Sequence, residues 1–466
     1  MTDTAAGAVL VHSTKSRPDL PQVRGPTPEV DASTLLDTYE TIGYQATNVH
    51  RAMCIARKML QPQKKSKIFT VQNEQFVEVP PAEEDAEALV YSNLFLGVTA
   101  NAMGTGCRDA VRFLVKHGVK PRVFDPAGLP LQEDEQDRLR QLWSPDIMEC
   151  RQAALAEAFP SLHANGKDRA QCPLPYRSFL SAVVLSGGGP EHDIRRLCAD
   201  IEGPPHGYRL THYASEPPSA TEGETNEREE AQKGKFGNVS YGGAKNGLFD
   251  SFMAKLSEKL VSRQATLQAQ HRQKPGTVCS WAVSPAEVWC LAGLWMKELL
   301  VQCRPPTTEE AAWRSLVTAH VGHSVLYWAA LQGVPVYGPS LADGDLADYL
   351  LRGSGRLQLD LVRDIHSLNK FAMQSLHSSI IVCGGGVVKH HLCNANLMRN
   401  GADLSIFINN GMEFDGSDGG AKPEEALSWG KIRIDGEYVK LYSEISVVLP
   451  LLVAKVFVPA IRDRSQ

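Results

Sequence analysis

Residues 412–444, MEFDGSDGGAKPEEALSWGKIRIDGEYVKLYSE, hold the densest run of chemistry-bearing side chains in the chain. Glu413, Asp415, Asp418, Glu424 and Glu425 precede Trp429 and Lys431. Carboxylates this close repel one another unless a cation lies among them. A polyamine, with ammonium groups spaced along an alkyl chain, meets that need. Trp429 offers a flat wall for a cation–π contact and for methylene groups. If the Lys431 ammonium is buried against that wall, its charged form is disfavoured and the free amine can attack an imine or carbonyl carbon. The plainer readings are a solvated acidic loop, a metal loop and an ordinary solvated lysine. A calcium loop is set aside, because the DxDxDG spacing with a glutamate at its twelfth position is absent. No metal is expected.

Two glycine turns could hold an anionic cofactor near this loop. Gly384-Gly385-Gly386 follows the apolar run SSIIVC and opens a helical segment. Such a turn lets backbone amides approach a phosphate at a helix N-terminus. The spacing is not GxGxxG, so a mere strand-to-helix turn explains it equally well. The turn AlaAsnAlaMetGlyThrGly, residues 100–106, is a second edge of the same kind. Just past the first turn stand Lys389, His390, His391 and Asn394, with His390 and Asn394 on one helix face. A lone histidine is usually structural. His390 gains weight from its place at the carboxyl edge of the expected sheet.

The elements that must position these groups alternate between strand and helix. A helical pattern starts near Ser33 (Leu35, Leu36, Tyr39, Ile42) and continues from Ala46 to Met59. Residues 89–118 read as strand, small-residue turn and helix, and Val119–Phe124 as the next strand. After a break come helix 311–332, strand 333–339, helix 359–377, strand 378–386, helix 387–398, strand 404–410 and an apolar helix 446–458. This order predicts an α/β fold: a Rossmann-like, mostly parallel sheet covered by helices on both faces. Residues 1–33 read as an arm and 34–466 as one domain. An insertion at about 145–234 interrupts it, and its part 201–234 is rich in Pro, Glu, Ser, Thr and Gly, as in a solvated loop.

A net charge of −5 argues against a nucleic-acid binder held by phosphate contacts. The N-terminus lacks a secretory pattern, and no apolar run is expected to reach the ~20 residues of a membrane span. Ten scattered cysteines without a CxxC pair suit reduced thiols and a cytoplasmic location.

SWGKIR (428–433), EFDGSD (413–418), GGGVVKHH (384–391), NANLMRNGAD (394–403), QVRG (22–25) and TIGYQATN (41–48) together resemble the signatures of deoxyhypusine synthase. The similarity covers roughly residues 10–125 and 235–460. It implies a tetramer with active sites between paired subunits. It also implies NAD-dependent transfer of the 4-aminobutyl group of spermidine to a lysine of the hypusine-containing translation factor precursor. By position, Lys431 matches the covalent lysine and His390 the histidine beside spermidine. Asp348 matches an acid anchoring one end of the polyamine, and Gly416, Asp418, Glu425 and Trp429 the rest of its trough, with Asn394 supporting His390. Ala100, Asn101, Gly104, Asp343, Gly384, Gly385, Asn410, Gly411, Asp415 and Glu444 match positions around NAD.

Departures from the family pattern gather on the cofactor side. Thr99-Ala100-Asn101 stands for Thr-Ser-Asn, Gly419 for a serine, Glu444 for an aspartate and Asn410-Gly411 for Thr-Ala. The family's Thr-Thr-Ala-Gly-Gly with a pair of glutamates is assigned to residues 125–133, with Glu133 as the acid or Gln132 in its place. Such a chain is expected to be the catalytic subunit of a hetero-oligomer with an inactive paralogue. The rival readings are a homospermidine-forming enzyme and a non-catalytic regulatory subunit.

Overall fold

NLFLGV, SSIIVC and ADLSIFIN are buried along almost their whole length, so layers must cover them on both faces. In the computed structural model they form the centre of one sheet. Residues 24, 34–65, 68–72, 75–79, 89–122, 133–159, 174–203, 207–210, 234–241, 247–273, 281–341, 343–352 and 357–464 are described.

The sheet strands are β1 (Asn93–Val98), β2 (Ala182–Leu185), β3 (Val336–Tyr337), β4 (Ser378–Cys383), β5 (Ala402–Asn409) and β6 (Ile432–Tyr442). Every pairing between them is parallel, in the order β3-β2-β1-β4-β5-β6. This is the order of a doubly wound dinucleotide-binding fold, and the direction of winding reverses between β1 and β4. A ligand of such a sheet binds outside the carboxyl ends of its strands at that reversal.

The helices that matter for the site are α1 (Cys107–Lys116), α2 (Gly188–Glu202), α3 (Gly247–Gln273), α4 (Pro285–Gln302), α5 (Val325–Gln332), α6 (Leu346–Arg352), α7 (Leu361–Met373), α8 (Gly386–Leu397) and α9 (Ile445–Leu452). Helix α4 starts with a reciprocal cap: Ser284 Oγ accepts from Glu287 N, and Glu287 Oε2 accepts from Ser284 N at 3.0 Å. Asp193, fully buried on α2, accepts from Val325 N and Leu326 N at 3.0 Å and from Arg108 Nε at 2.7 Å, tying α1, α2 and α5 together.

Two compact units divide the chain, Met1–Arg51 and Ala52–Gln466. Among the described residues of the first, Leu35–Thr38 and Tyr39–Ile42 are short helical turns, followed by the start of the helix Tyr44–Met59. The helical reading of that stretch holds. The expected arm, 1–33, lies outside the described residues except for Arg24.

Three expectations are corrected. First, the segment 145–234 is not simply inserted: it supplies β2, a central strand, and α2, which packs on it. Most of 201–234 lies outside the described residues. Second, residues 119–122 form no strand beyond an isolated bridge between Pro121 and Tyr176, and β2 takes the place expected of 119–124. Third, the helical run Ile445–Asp463, with mean hydropathy 2.0, is long and apolar enough by length and composition to cross a membrane. Val448, Leu449, Leu452, Val456 and Phe457 are buried within the domain, while only 33% of that apolar window is buried in all.

Candidate active site

The carboxyl ends of β1, β2, β4 and β5 end in turns that touch one another through glycine. Gly384 has φ +107°, and a Cβ there would lie 2.8 Å from Thr99 Oγ1, at the end of β1. A Cβ on Gly385 would lie 2.6 Å from the Cα of Gly419, in the acidic loop after β5. Both glycines are needed for this approach, one for its left-handed backbone and both for the absent side chain. At the end of β2, Ser186 Oγ accepts from Ala100 N at 2.8 Å, and a Cβ on Gly187 would lie 2.6 Å from Asp343 O. Ala100, Asp343, Gly384, Gly385 and Gly411 therefore share one continuous edge, with Asn101 and Asn410 exposed beside it. Backbone amides at helix starts and glycines without Cβ suit the close approach of a dinucleotide.

Among the described residues this edge carries an acid that the sequence reading did not name, Glu191. Ser186-Gly187-Gly188-Gly189 follows β2 directly, and Glu191 lies in the first turn of α2. Its carboxylate accepts from Asp345 N at 2.6 Å and Leu346 N at 2.7 Å. Burial pushes its pKa up to about 7, against the lowering effect of those two bonds. Glu133 instead opens the helix Glu133–Leu142, and residues 125–132 lie outside the described residues. The signal was present in AVVLSGGGPE, a short apolar run into three glycines and an acid. It was passed over because it lay inside the supposed insertion.

Glu444 caps α9, accepting from Ser446 N at 3.0 Å, and it acts electrostatically on the Cys107 thiol at the head of α1. The side chain of Asp415 lies outside the described residues.

The acidic loop is held from beneath by two buried lysines. Lys440 Nζ, on β6, donates to Gly420 O at 2.9 Å, Gly411 O at 3.0 Å and Gly419 O at 3.3 Å. Lys389 Nζ, on α8, donates to Asp418 O and to Ala421 O. Lys422 pairs with Glu413 at 2.7 Å on the surface. The chain's own cations thus meet part of the acid repulsion that a polyamine alone was expected to relieve. Sequence reasoning gave these lysines no role: in sequence, a lysine in a strand looks like a solvated charge.

Asp418 remains the exception. Its Oδ1 lies 3.0 Å from His390 Nε2, while Oδ2 is buried with no hydrogen-bond partner among the described groups. His390 and Asn394 share an exposed face of α8, as their spacing predicted. His391 turns inward beneath Tyr337, and burial pushes its pKa down to about 4.

The SWGK motif is a helix stop that launches a strand. The helix Pro423–Ser428 ends as Trp429 N donates to Glu425 O and Gly430 N to Leu427 O; Gly430 has φ +72°. Lys431 N then donates to Ala426 O at 2.8 Å, and Lys431 O accepts from Ala402 N at 3.1 Å as β6 begins. Lys431, Lys389 and Asp418 all act on the Cys393 thiol of α8, so the three lie around one point. The expected burial of Lys431 against indole is not found within one chain: Lys431 is half-buried and Trp429 is 65% exposed. Gly416, with φ +65°, and Glu425 are exposed on the same loop and helix.

Asp348 does not join this cluster. It sits on α6, which follows β3, and β3 lies four strands from β5. At a strand spacing of about 4.8 Å that is roughly 19 Å across one sheet. The trough residues expected from sequence thus come from elements on opposite sides of the reversal between β1 and β4.

A family model described as "Deoxyhypusine synthase" matches residues 34–128 and 220–456. The chain is a member of the deoxyhypusine synthase family. It is 39% identical to a deoxyhypusine synthase of Leishmania donovani, over 100% of this chain and 94% of that protein. It is 39% identical to one of Trypanosoma brucei brucei, over 99% and 97%. A probable deoxyhypusine synthase of Dictyostelium discoideum is 30% identical over 94% and 85%. Members of this family are transferases, and the resemblance drawn from SWGKIR and its companion motifs is upheld. The family model passes over residues 129–219, yet that stretch supplies β2 and the Ser186–Glu191 turn of the site.

Proposed function

We propose that this chain transfers the 4-aminobutyl group of spermidine to a lysine of the hypusine-containing translation factor precursor, with NAD as cofactor and Lys431 as covalent carrier. The observation that carries this reading is the buried, unpartnered Oδ2 of Asp418 beside His390. A desolvated carboxylate oxygen without a donor calls for one, and a substrate ammonium supplies both a proton and a charge.

Ala100, Asn101, Gly384, Gly385, Asn410, Gly411 and Glu444 would hold NAD along the β1–β4 edge, with Asp343 and Glu191 on its β2–β3 side. The cofactor supplies a hydride acceptor and, later, a hydride donor. Asp418 and Glu425 hold the polyamine, and His390, oriented through Nε2 by Asp418, takes a proton from its secondary amine at the other ring nitrogen. Lys431 Nζ attacks the imine carbon so formed, and the bond from that carbon to the departing diaminopropane nitrogen breaks. The acceptor lysine then attacks the same carbon, and Lys431 Nζ is released. Met412 and Phe414, 44% and 89% exposed on the acidic loop, add apolar surface near the polyamine.

The place of Asp348 on α6 beyond β3, across the strand order from the elements that carry Asp418 and Lys431, supports sites shared between facing subunits, in a tetramer. The exposed Trp429 would then close on Lys431 only once a second subunit or the substrate covers it. The altered cofactor edge supports an inactive paralogue as the second kind of subunit. Eight free cysteines among the described residues suit the reducing cytoplasm, where we place the enzyme.

Transfer of labelled aminobutyl from spermidine tests the reading, with the precursor protein and putrescine offered side by side. Label on the protein alone is the expected result; label on putrescine alone would make this a homospermidine-forming enzyme.

A further inference from the structure

A cavity opens at the amino ends of β1, β2 and β3, where Asn93, Ser181 and Val334 form part of its wall. The catalytic edge lies at the other ends of the same strands. Asn93 and Val98 begin and end β1, roughly 17 Å of extended chain apart. The cavity is lined by Lys120, Arg122, Arg138 and Arg177, with no Asp or Glu among the described residues that line it.

Backbone pairing holds these cations in place. Arg177 N donates to Lys120 O at 2.8 Å, and Arg122 N to Pro175 O at 2.8 Å. Arg122 is buried, and its guanidinium donates to Leu174 O and Gln332 O, each at 3.1 Å. The Arg138 guanidinium lies 5.5 Å from the centre of the Phe371 ring. Arg464 stands close by, 3.9 Å over Tyr176. Burial, with the charges of Lys116 and Arg464, pushes the pKa of His117 down to about 4. An anion placed in the cavity is attracted by every charge on its wall.

An observation independent of charge narrows the kind of anion. Gln332 lines the same cavity and is 1% exposed. Its Nε2 donates to Lys116 O at 2.7 Å, which fixes the direction of the amide. Its Oε1 is buried with no hydrogen-bond partner among the described residues. An amide oxygen can only accept, so a ligand that satisfies it must bring a donor. Hydrogen phosphate keeps one O–H near neutral pH. Sulfate keeps none.

We propose that this amino-end cavity binds hydrogen phosphate, with Lys120, Arg138 and Arg177 donating to its charged oxygens, Arg122 adding its charge, and Gln332 Oε1 accepting from its O–H. The site is separate from the cofactor edge and stands without the NAD reading.

The test is calorimetric titration of the full chain with sodium phosphate and with sodium sulfate near neutral pH. Wild type is compared with Lys120→Met, Arg177→Met and Arg177→Lys, each checked for an unchanged unfolding midpoint in phosphate-free buffer. Phosphate should bind the wild type about tenfold more tightly than sulfate, and each Met variant should lose about tenfold in phosphate affinity. Arg177→Lys, which keeps the charge, should lose less. Phosphate should also raise the Tm of the wild type by more than that of either Met variant. Equal phosphate affinity in the wild type and both Met variants would overturn the site, as would no binding to the wild type at millimolar phosphate. Sulfate bound as tightly as phosphate would overturn the assignment to hydrogen phosphate and leave an adventitious ion only.

Discussion

His390 Nε2 and Asp418 Oδ1 lie 3.0 Å apart, joining the helix after the glycine turn to the acidic loop after β5. The pair leaves Asp418 Oδ2 to a ligand. Asp418→Asn removes the charge and keeps the shape. It is expected to weaken spermidine binding by about 1–3 kcal/mol, the usual cost of losing a charge-assisted hydrogen bond, with NAD binding unchanged. Calorimetric titration with each ligand checks this, and equal loss for both would place Asp418 in the loop's structure rather than at the polyamine.

Lys440 holds three glycine carbonyls of that loop within 3.3 Å while almost fully buried. Lys440→Met keeps the length and removes the donor. The expected result is a stability loss of about 1–3 kcal/mol, from carbonyls left without a partner, and a several-fold rise in KM for spermidine. Thermal unfolding and initial rates read the two effects separately.

Gly385 and Gly419 face each other but differ in tolerance. A Cβ on Gly385 meets backbone at 2.6 Å, whereas one on Gly419 meets nothing closer than 3.6 Å. Gly385→Ala should therefore abolish turnover by forcing the two turns apart. Gly419→Ser, which restores the hydroxyl of the family pattern, should fold with unchanged Tm. Loss of stability in Gly419→Ser would show that the loop packs more tightly than this contact implies.

Much of this architecture was legible because its strands are buried on both faces. SSIIVC and LSIFIN stand out as apolar runs, and the glycines behind the first mark the turn. Strand β6 was missed because IRIDGEYVKLY carries charge at alternate positions and resembles a surface loop. Strand β2 was missed because four residues, AVVL, sit between stretches of unlike composition. His390, Asp418, Trp429 and Lys431 were found by residue type and motif. The separation of Asp348 from them was not, because it follows from strand order, and periodicity carries no strand order.

Asp364 makes stability depend on pH. It is buried on α7, its Oδ1 accepts from Ala286 N at 3.1 Å, and its Oδ2 has no hydrogen-bond partner among the described residues. Burial, aided by the nearby Glu287 carboxylate, pushes its pKa up to about 7 from the ordinary 3.8. Between those values the unfolded chain has lost the proton that the folded chain keeps. The stabilising contribution is therefore complete below about pH 4 and is lost as pH rises through about 7. Asp364→Asn keeps an acceptor for Ala286 N and cannot ionise. Its Tm at pH 8 should exceed that of the wild type, with the gap closing toward pH 5. A gap that widens on acidification would reverse the sign.

Lys431 is the centre of the account, and borohydride trapping tests it most directly. The chain, with and without a paralogous partner, is incubated with spermidine and NAD, reduced, digested and analysed by mass spectrometry, with Lys431→Ala alongside. One aminobutyl group fixed on Lys431 in the wild type, and none in the variant, is the predicted result. An unmodified Lys431 in a preparation that still transfers the group to its acceptor would contradict the covalent role.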